Sequence, residues 1–196
     1  MLGDAFEPSP ATVTCKCGAV QLSFRDRTPV QRLLCGCRDC RQALAWASRQ
    51  GGAAAPAMPS EHAPLLDLLY LTNDVSPVRG GDKLRFFKLR EGGRSTRGVA
   101  MCCHSTLLVD HPGYGAQKVL LFPGACDVDA EPREVDALIY LGDLAPEQRA
   151  ALPDFPNKGR KPPPARVALP RRGLSVEQLV AASGGVVQLG LQEGSD

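Results

Sequence analysis

Eight cysteines occur in this chain of 196 residues, and seven of them are crowded into three short stretches. Cys15 and Cys17 form a C-x-C pair, Cys35, Cys37 and Cys40 form a C-x-C-x-x-C run, and Cys102 and Cys103 are neighbours. A disulfide spanning one residue strains its preferred Cβ geometry, whereas thiolates at such spacings converge readily on one metal ion. Zinc takes four ligands, so seven thiolates are too many for one site and one short of two complete ones. Four plus three is the natural division. A four-thiolate site is closed and structural, and a three-thiolate site leaves a position for water or substrate. Two Zn2+ ions are therefore expected, with Cys15, Cys17, Cys35, Cys37, Cys40, Cys102 and Cys103 as ligands. The C-x-C-x-x-C run is compact enough to supply three ligands from one turn into one helix. Cys15 and Cys17 then need partners from far along the chain, and Cys102 and Cys103 are the candidates. Cys126 stands alone and reads as a small buried hydrophobe. The C-x-x-C spacing of Cys37 and Cys40 also admits a redox dithiol.

Bulk properties narrow the setting. Lysine and arginine total 23 against 21 acidic residues, which gives no electrostatic footprint for nucleic acid or an anionic membrane. With 5% aromatic residues, a base-stacking surface is not expected either. No apolar run approaches the roughly 20 residues of a membrane-spanning helix. The opening MLGDAFEPSP lacks the basic and apolar regions of a secretory signal. A reducing, cytoplasmic setting is the expectation, and it favours metal-bound thiolates over disulfides.

The elements that must position the cysteines read as mainly β. Thr12 to Thr14 is a short β-like run ending at Cys15, and Cys15-Lys-Cys-Gly18 is a tight turn. The following segment to Phe24 alternates, with Val20, Leu22 and Phe24 on one face. Val30 to Leu34 leads into Cys35, and Arg38 to Arg49 reads as a helix with Cys40 in its first turn. Residues 50–63 read as a loop. Apolar runs at Leu65 to Leu71, Leu84 to Leu89, Val119 to Phe122 and Val135 to Leu141 read as strands. Thr96 to Val109 reads as a strand or hairpin carrying the Cys-Cys pair. Pro146 and Glu147 open a short helix, residues 153–172 form a Pro-rich arm, and Ser175 with Gln178 is a capping box that starts a last helix. The expected organisation is a lead-in at 1–11, a β-rich zinc domain at 12–143, and a Pro-rich helical C-terminal extension at 144–196.

The run Cys15-Lys-Cys-Gly-Ala-Val20 followed by Cys35-Gly-Cys-Arg-Asp-Cys-Arg41 resembles the family of glutathione-dependent formaldehyde-activating enzymes and centromere protein V. The resemblance implies an Mss4-like, β-rich fold with two zinc sites. It also implies that Cys15 and Cys17 with the late pair hold the structural zinc, while Cys35, Cys37 and Cys40 form the catalytic site with an open position. The late motif departs from the family's C-x-x-C, because Ala100 stands where the first of those cysteines belongs. Cys102 is the substitute, but adjacent strand residues point to opposite faces. Either the chain kinks so that Cys102 and Cys103 both bind, or Cys102 and His104 supply the ligands from one face.

A zinc ion already holding three thiolates is a weak Lewis acid and accepts a soft fourth ligand, for which a substrate thiol such as glutathione is suited. The activity implied by the resemblance is carbon–sulfur lyase chemistry on a thiol adduct of the glutathione hemithioacetal type. The alternative is a non-enzymatic zinc module whose second site is closed by Cys126, His104 or Asp39. His62, His104 and His111 are dispersed, so the sequence points to no general base.

Overall fold

The computed structural model describes residues 9–50, 64–155, 157–160 and 171–192. Most of the expected lead-in and loop, and much of the Pro-rich arm, lie outside these residues. The fold is mainly β, with two sheets and few, short helices. Its strands are β1 (Ala11–Thr14), β2 (Gln21–Phe24), β3 (Gln31–Cys35), β4 (Leu66–Thr72), β5 (Val75–Arg79), β6 (Leu84–Lys88), β7 (Thr96–Ala100), β8 (Ser105–Asp110), β9 (Lys118–Leu121), β10 (Asp127–Asp129), β11 (Ala137–Ile139) and β12 (Val186–Gln188). The α-helices are α1 (Arg38–Arg49), α2 (Pro146–Ala150) and α3 (Val176–Ala182). None of these helices is long and apolar enough to cross a membrane.

The smaller sheet runs β10-β1-β2-β5 and is antiparallel throughout. The larger runs β11-β3-β4-β9-β8-β7-β6-β12, antiparallel except at its ends, where β11 joins β3 and β12 joins β6 in parallel. Strand periodicity explains how the sheets pack. Val13 and Cys15 lie on one face with Val20, Leu22 and Phe24, and all are fully buried against Leu71, Phe86, Leu107 and Leu121 of the larger sheet. β4 is buried on both faces from Leu68 onward, which is why Leu68 to Leu71 is a continuous apolar run rather than an alternating one. Leu69 and Leu71 face this shared core, while Leu66, Leu68 and Tyr70 face a second core with Leu33, Cys35, Leu44 and Phe122.

The strands that the sequence does not announce are β5, β10 and β12, and each is an edge strand. β5 contains Pro77 and buries only Val75, which an edge tolerates because one row of backbone groups needs no partner. The segment from Arg171 onward packs on the β-rich body. Asp74, buried, accepts the backbone N–H of Arg172 at 2.7 Å and that of Gly173. Val176 and Leu179 of α3 enter the shared core, and Leu189 and Leu191 donate backbone hydrogen bonds to Lys88 and Leu89. The predicted capping box is present, with Gln178 N–H donating to Ser175 Oγ at 3.2 Å and the Gln178 amide oxygen accepting from Ser175 N–H.

Candidate metal centres and the adjoining cavity

Two groups of thiols form. Cys15, Cys17, Cys102 and Cys103 place all four sulfurs within 4.8 Å of one another, and Cys35, Cys37 and Cys40 do the same with three. Tetrahedral zinc with Zn–S of about 2.3 Å requires sulfurs about 3.8 Å apart. Cys15 and Cys17 are 3.5 Å apart, Cys15 and Cys102 3.8 Å, and Cys17 and Cys102 3.3 Å, so these sulfurs already lie close to the spacing that one shared ion requires.

The first group is assembled from two turns. Cys15 closes β1 on the core side, and Gly18, at φ +76, lets the chain reverse so that Cys15 N–H bonds Val20 O and Gly18 N–H bonds Cys15 O. Val20 N–H donates to Cys15 Sγ at 3.2 Å, and Lys16 N–H donates to Ser105 Oγ, which lies 3.2 Å from Cys103 Sγ. The other turn, at residues 101–104, joins β7 to β8, and His104 takes φ +51 within it. The pair therefore sits in a turn rather than on a strand, so the strand rule sending neighbours to opposite faces does not apply. Both sulfurs reach Cys15 and Cys17, and His104 belongs to neither group. Burial alone would raise the Cys103 thiol, but its bonds with Ser105 and Cys17 bring it down to about 6.

The second group lies where β3 passes into α1. Cys35 ends the strand, Cys37 is the residue before the helix, and Cys40 stands in its first turn. Gly36 has no room for a side chain, since a Cβ there would meet Tyr140 O at 2.8 Å and Leu144 at 3.0 Å. Cys37 N–H donates to Cys35 Sγ at 3.3 Å, and the Arg41 guanidinium ties the turn down through Gly36 O and Asp143 O. The three thiols are linked through their mutual hydrogen bonds. Hydrogen bonds from Cys35 and Cys40 hold Cys37 far below the usual thiol range, while the same contacts with burial push Cys35 up to about 12 and Cys40 higher than usual.

Among the described residues, no fourth His, Cys, Asp or Glu joins this second group. Asp39 is held by Arg90 through both carboxylate oxygens, at 3.1 and 3.0 Å. Cys126 is buried in the shared core with Phe122 O as its neighbour at 3.7 Å, and burial pushes its thiol up to about 12.

A cavity of about 640 Å³ opens against Cys35, Cys37 and Cys40, and none of the four cysteines of the other group lines it. Its volume lies in the range of small-molecule sites, roughly 300–1,000 Å³. Tyr70 and Tyr114 form part of the wall, with ring centroids 5.5 Å apart and nearly perpendicular planes, and burial pushes both phenols up so that they stay neutral. The Lys118 ammonium sits 4.5 Å above the Tyr70 ring and donates to Gln31 Oε1 at 2.7 Å. Burial lowers the pKa of this lysine. Arg97 and His111 also line the cavity. Sequence reasoning missed these wall residues because they come from separate strands and loops. The only available signal, a cation within a strand-like segment at Arg97 and another just before one at Lys118, is not specific.

Comparison with known proteins places this geometry in a family. A search of curated proteins finds no match to the chain. The family described as Glutathione-dependent formaldehyde-activating enzyme matches residues 10–142, a span that begins before the first cysteine turn and ends beyond the cavity wall. The chain belongs to the glutathione-dependent formaldehyde-activating enzyme family.

Proposed function

We propose that the protein is a zinc-dependent carbon–sulfur lyase that acts on a thiol adduct of the glutathione hemithioacetal type. The observation that carries this reading is the contrast between the two cysteine groups. The four-thiol group is complete and lies away from the cavity, whereas the three-thiol group has no fourth protein ligand among the described residues and opens onto it. Cys15, Cys17, Cys102 and Cys103 would hold a structural Zn2+, and Cys35, Cys37 and Cys40 a second one, as the expected two-ion content requires. Bound there, zinc supplies a soft Lewis-acid position that favours the thiolate form of an added thiol.

The chain's own residues account for the rest of the reaction. In the direction of adduct formation, a carbon–sulfur bond forms between thiolate and aldehyde carbon, and the carbonyl oxygen takes up a proton. The reverse returns that proton, the aldehyde and the thiolate. Lys118 is the cavity group suited to carry the proton, because its ammonium is partly desolvated and has no carboxylate partner among the described residues. Tyr70 and Tyr114 provide a neutral aromatic wall to the cavity that the three cysteines line. A small thiol such as glutathione is the partner, and the cytoplasm, rich in reduced thiols, is the fitting compartment.

Cobalt substitution tests this reading. Adding glutathione to the cobalt-loaded protein should raise the sulfur-to-metal charge-transfer band, release protons, and do neither in Cys40→Ser. No spectral change with any thiol would establish a closed site and replace the lyase with a zinc-binding interaction module.

A further inference from the structure

Arg97 is the cavity residue whose chemistry is left unsatisfied. It lies on β7, is only 5% exposed, and lines the cavity with the three cysteines. Its Nη1 donates to the backbone oxygen of Ser95 at 3.1 Å, but Nε is buried with no acceptor, and no carboxylate of the described residues forms an ion pair with it. Asp39, an acid of the same wall, already has both oxygens on Arg90. A buried guanidinium with an unused donor and no paired carboxylate is costly, and buried charges are ordinarily paired and hydrogen-bonded. The three-cysteine group offsets part of this charge through Cys40 and Cys37, but it offers no paired oxygens to the free Nε, and the surrounding wall still carries more cations than acids. Arg90, Arg94, Arg97 and Lys118 are its cations, and Asp39 and Glu91 its acids.

We infer that Arg97 is the anion-recognition residue of this cavity, binding a carboxylate of the substrate while the substrate's sulfur faces the three-cysteine site. The inference rests on the lyase reading for the thiol end of the substrate, but not for the carboxylate end. A guanidinium offers two parallel donors to a carboxylate, which fixes orientation as well as affinity. Thiols bearing a carboxylate are thereby selected over neutral or cationic ones. Arg97 is a specificity-determining residue and takes no part in proton transfer.

The test uses a matched pair, 3-mercaptopropionate and 3-mercaptopropionamide, titrated calorimetrically into the zinc-loaded protein. The acid should bind roughly tenfold more tightly than the amide, as expected for a hydrogen-bonded charged group. In Arg97→Met the preference should fall to within about twofold while amide affinity is kept, and Arg97→Lys should retain part of it. Lys118→Met should leave the acid preference in place. Equal binding of acid and amide by the unaltered protein overturns the inference even if the Arg97 variants do not fold. So does a preference that disappears in Lys118→Met. Propionate, which has no sulfur, separates the two readings. It should compete with the acid in an Arg97-dependent manner even if no thiol changes the cobalt spectrum. A cobalt response to both thiols without acid preference would keep the open site and remove the anion subsite.

Discussion

Cys15→Ser and Cys126→Ser form a matched pair that isolates the contribution of the structural metal proposed for the four-cysteine group. Both side chains are buried, at 0% and 1% exposure, and both substitutions exchange a thiol for a hydroxyl in the same core. Each hydroxyl has a neighbour able to satisfy it, Val20 N–H for residue 15 and Phe122 O for residue 126. The shared cost of burying it is about 1 kcal/mol. Only Cys15 belongs to a thiol group that could hold a metal. Structural zinc contributes about 10–16 kcal/mol in small metal-folded domains, against a total stability of about 5–15 kcal/mol for a typical domain. If loss of one ligand of four forfeits even a third of the metal term, Cys15→Ser costs about 4 kcal/mol more than Cys126→Ser. At about 2–4 °C per kcal/mol for a chain of this size, the melting temperature should drop roughly 10–20 °C for Cys15→Ser and 2–4 °C for Cys126→Ser. Thermal unfolding followed by circular dichroism measures both. A strong chelator should destabilise the unaltered protein and Cys126→Ser far more than Cys15→Ser. Equal shifts for the two variants, or indifference of the unaltered protein to the chelator, would refute a structural metal at the four-cysteine group.

Two further outcomes are expected. Elemental analysis should find two zinc ions per chain in the unaltered protein and one each in Cys17→Ser and Cys40→Ser, so a single ion in the unaltered protein would remove one of the two sites. Gly36→Ala drives a Cβ to 2.8 Å from Tyr140 O, an overpacking that costs about 1–3 kcal/mol. It should release the zinc of the three-cysteine group while the domain stays folded, and full zinc retention would show that the turn yields without moving Cys35 or Cys37.

The residues that carry chemistry and the local elements around them were legible in the sequence, because both are short-range properties. The clustering of seven cysteines, the turn at Gly18, the strand face of Val20, Leu22 and Phe24, and the helix at Arg38–Arg49 follow from spacing, backbone freedom and periodicity. The edge strands β5, β10 and β12 were not legible, since half of an edge strand's backbone groups need no partner and its side chains need little burial. The geometry of Cys102 and Cys103 was decided by the turn between β7 and β8, whose left-handed residue at His104 leaves no mark in sequence pattern. The cavity belongs wholly to the tertiary structure. Cys35 and Cys40, Tyr70, Arg97, Tyr114 and Lys118 meet only because β3, β4, β9, β8 and β7 lie side by side in an order that is not their order along the chain. Pairing between distant strands is a long-range choice made by burial of both faces of the sheet, so a buried guanidinium beside three thiols emerges from the fold and from no motif.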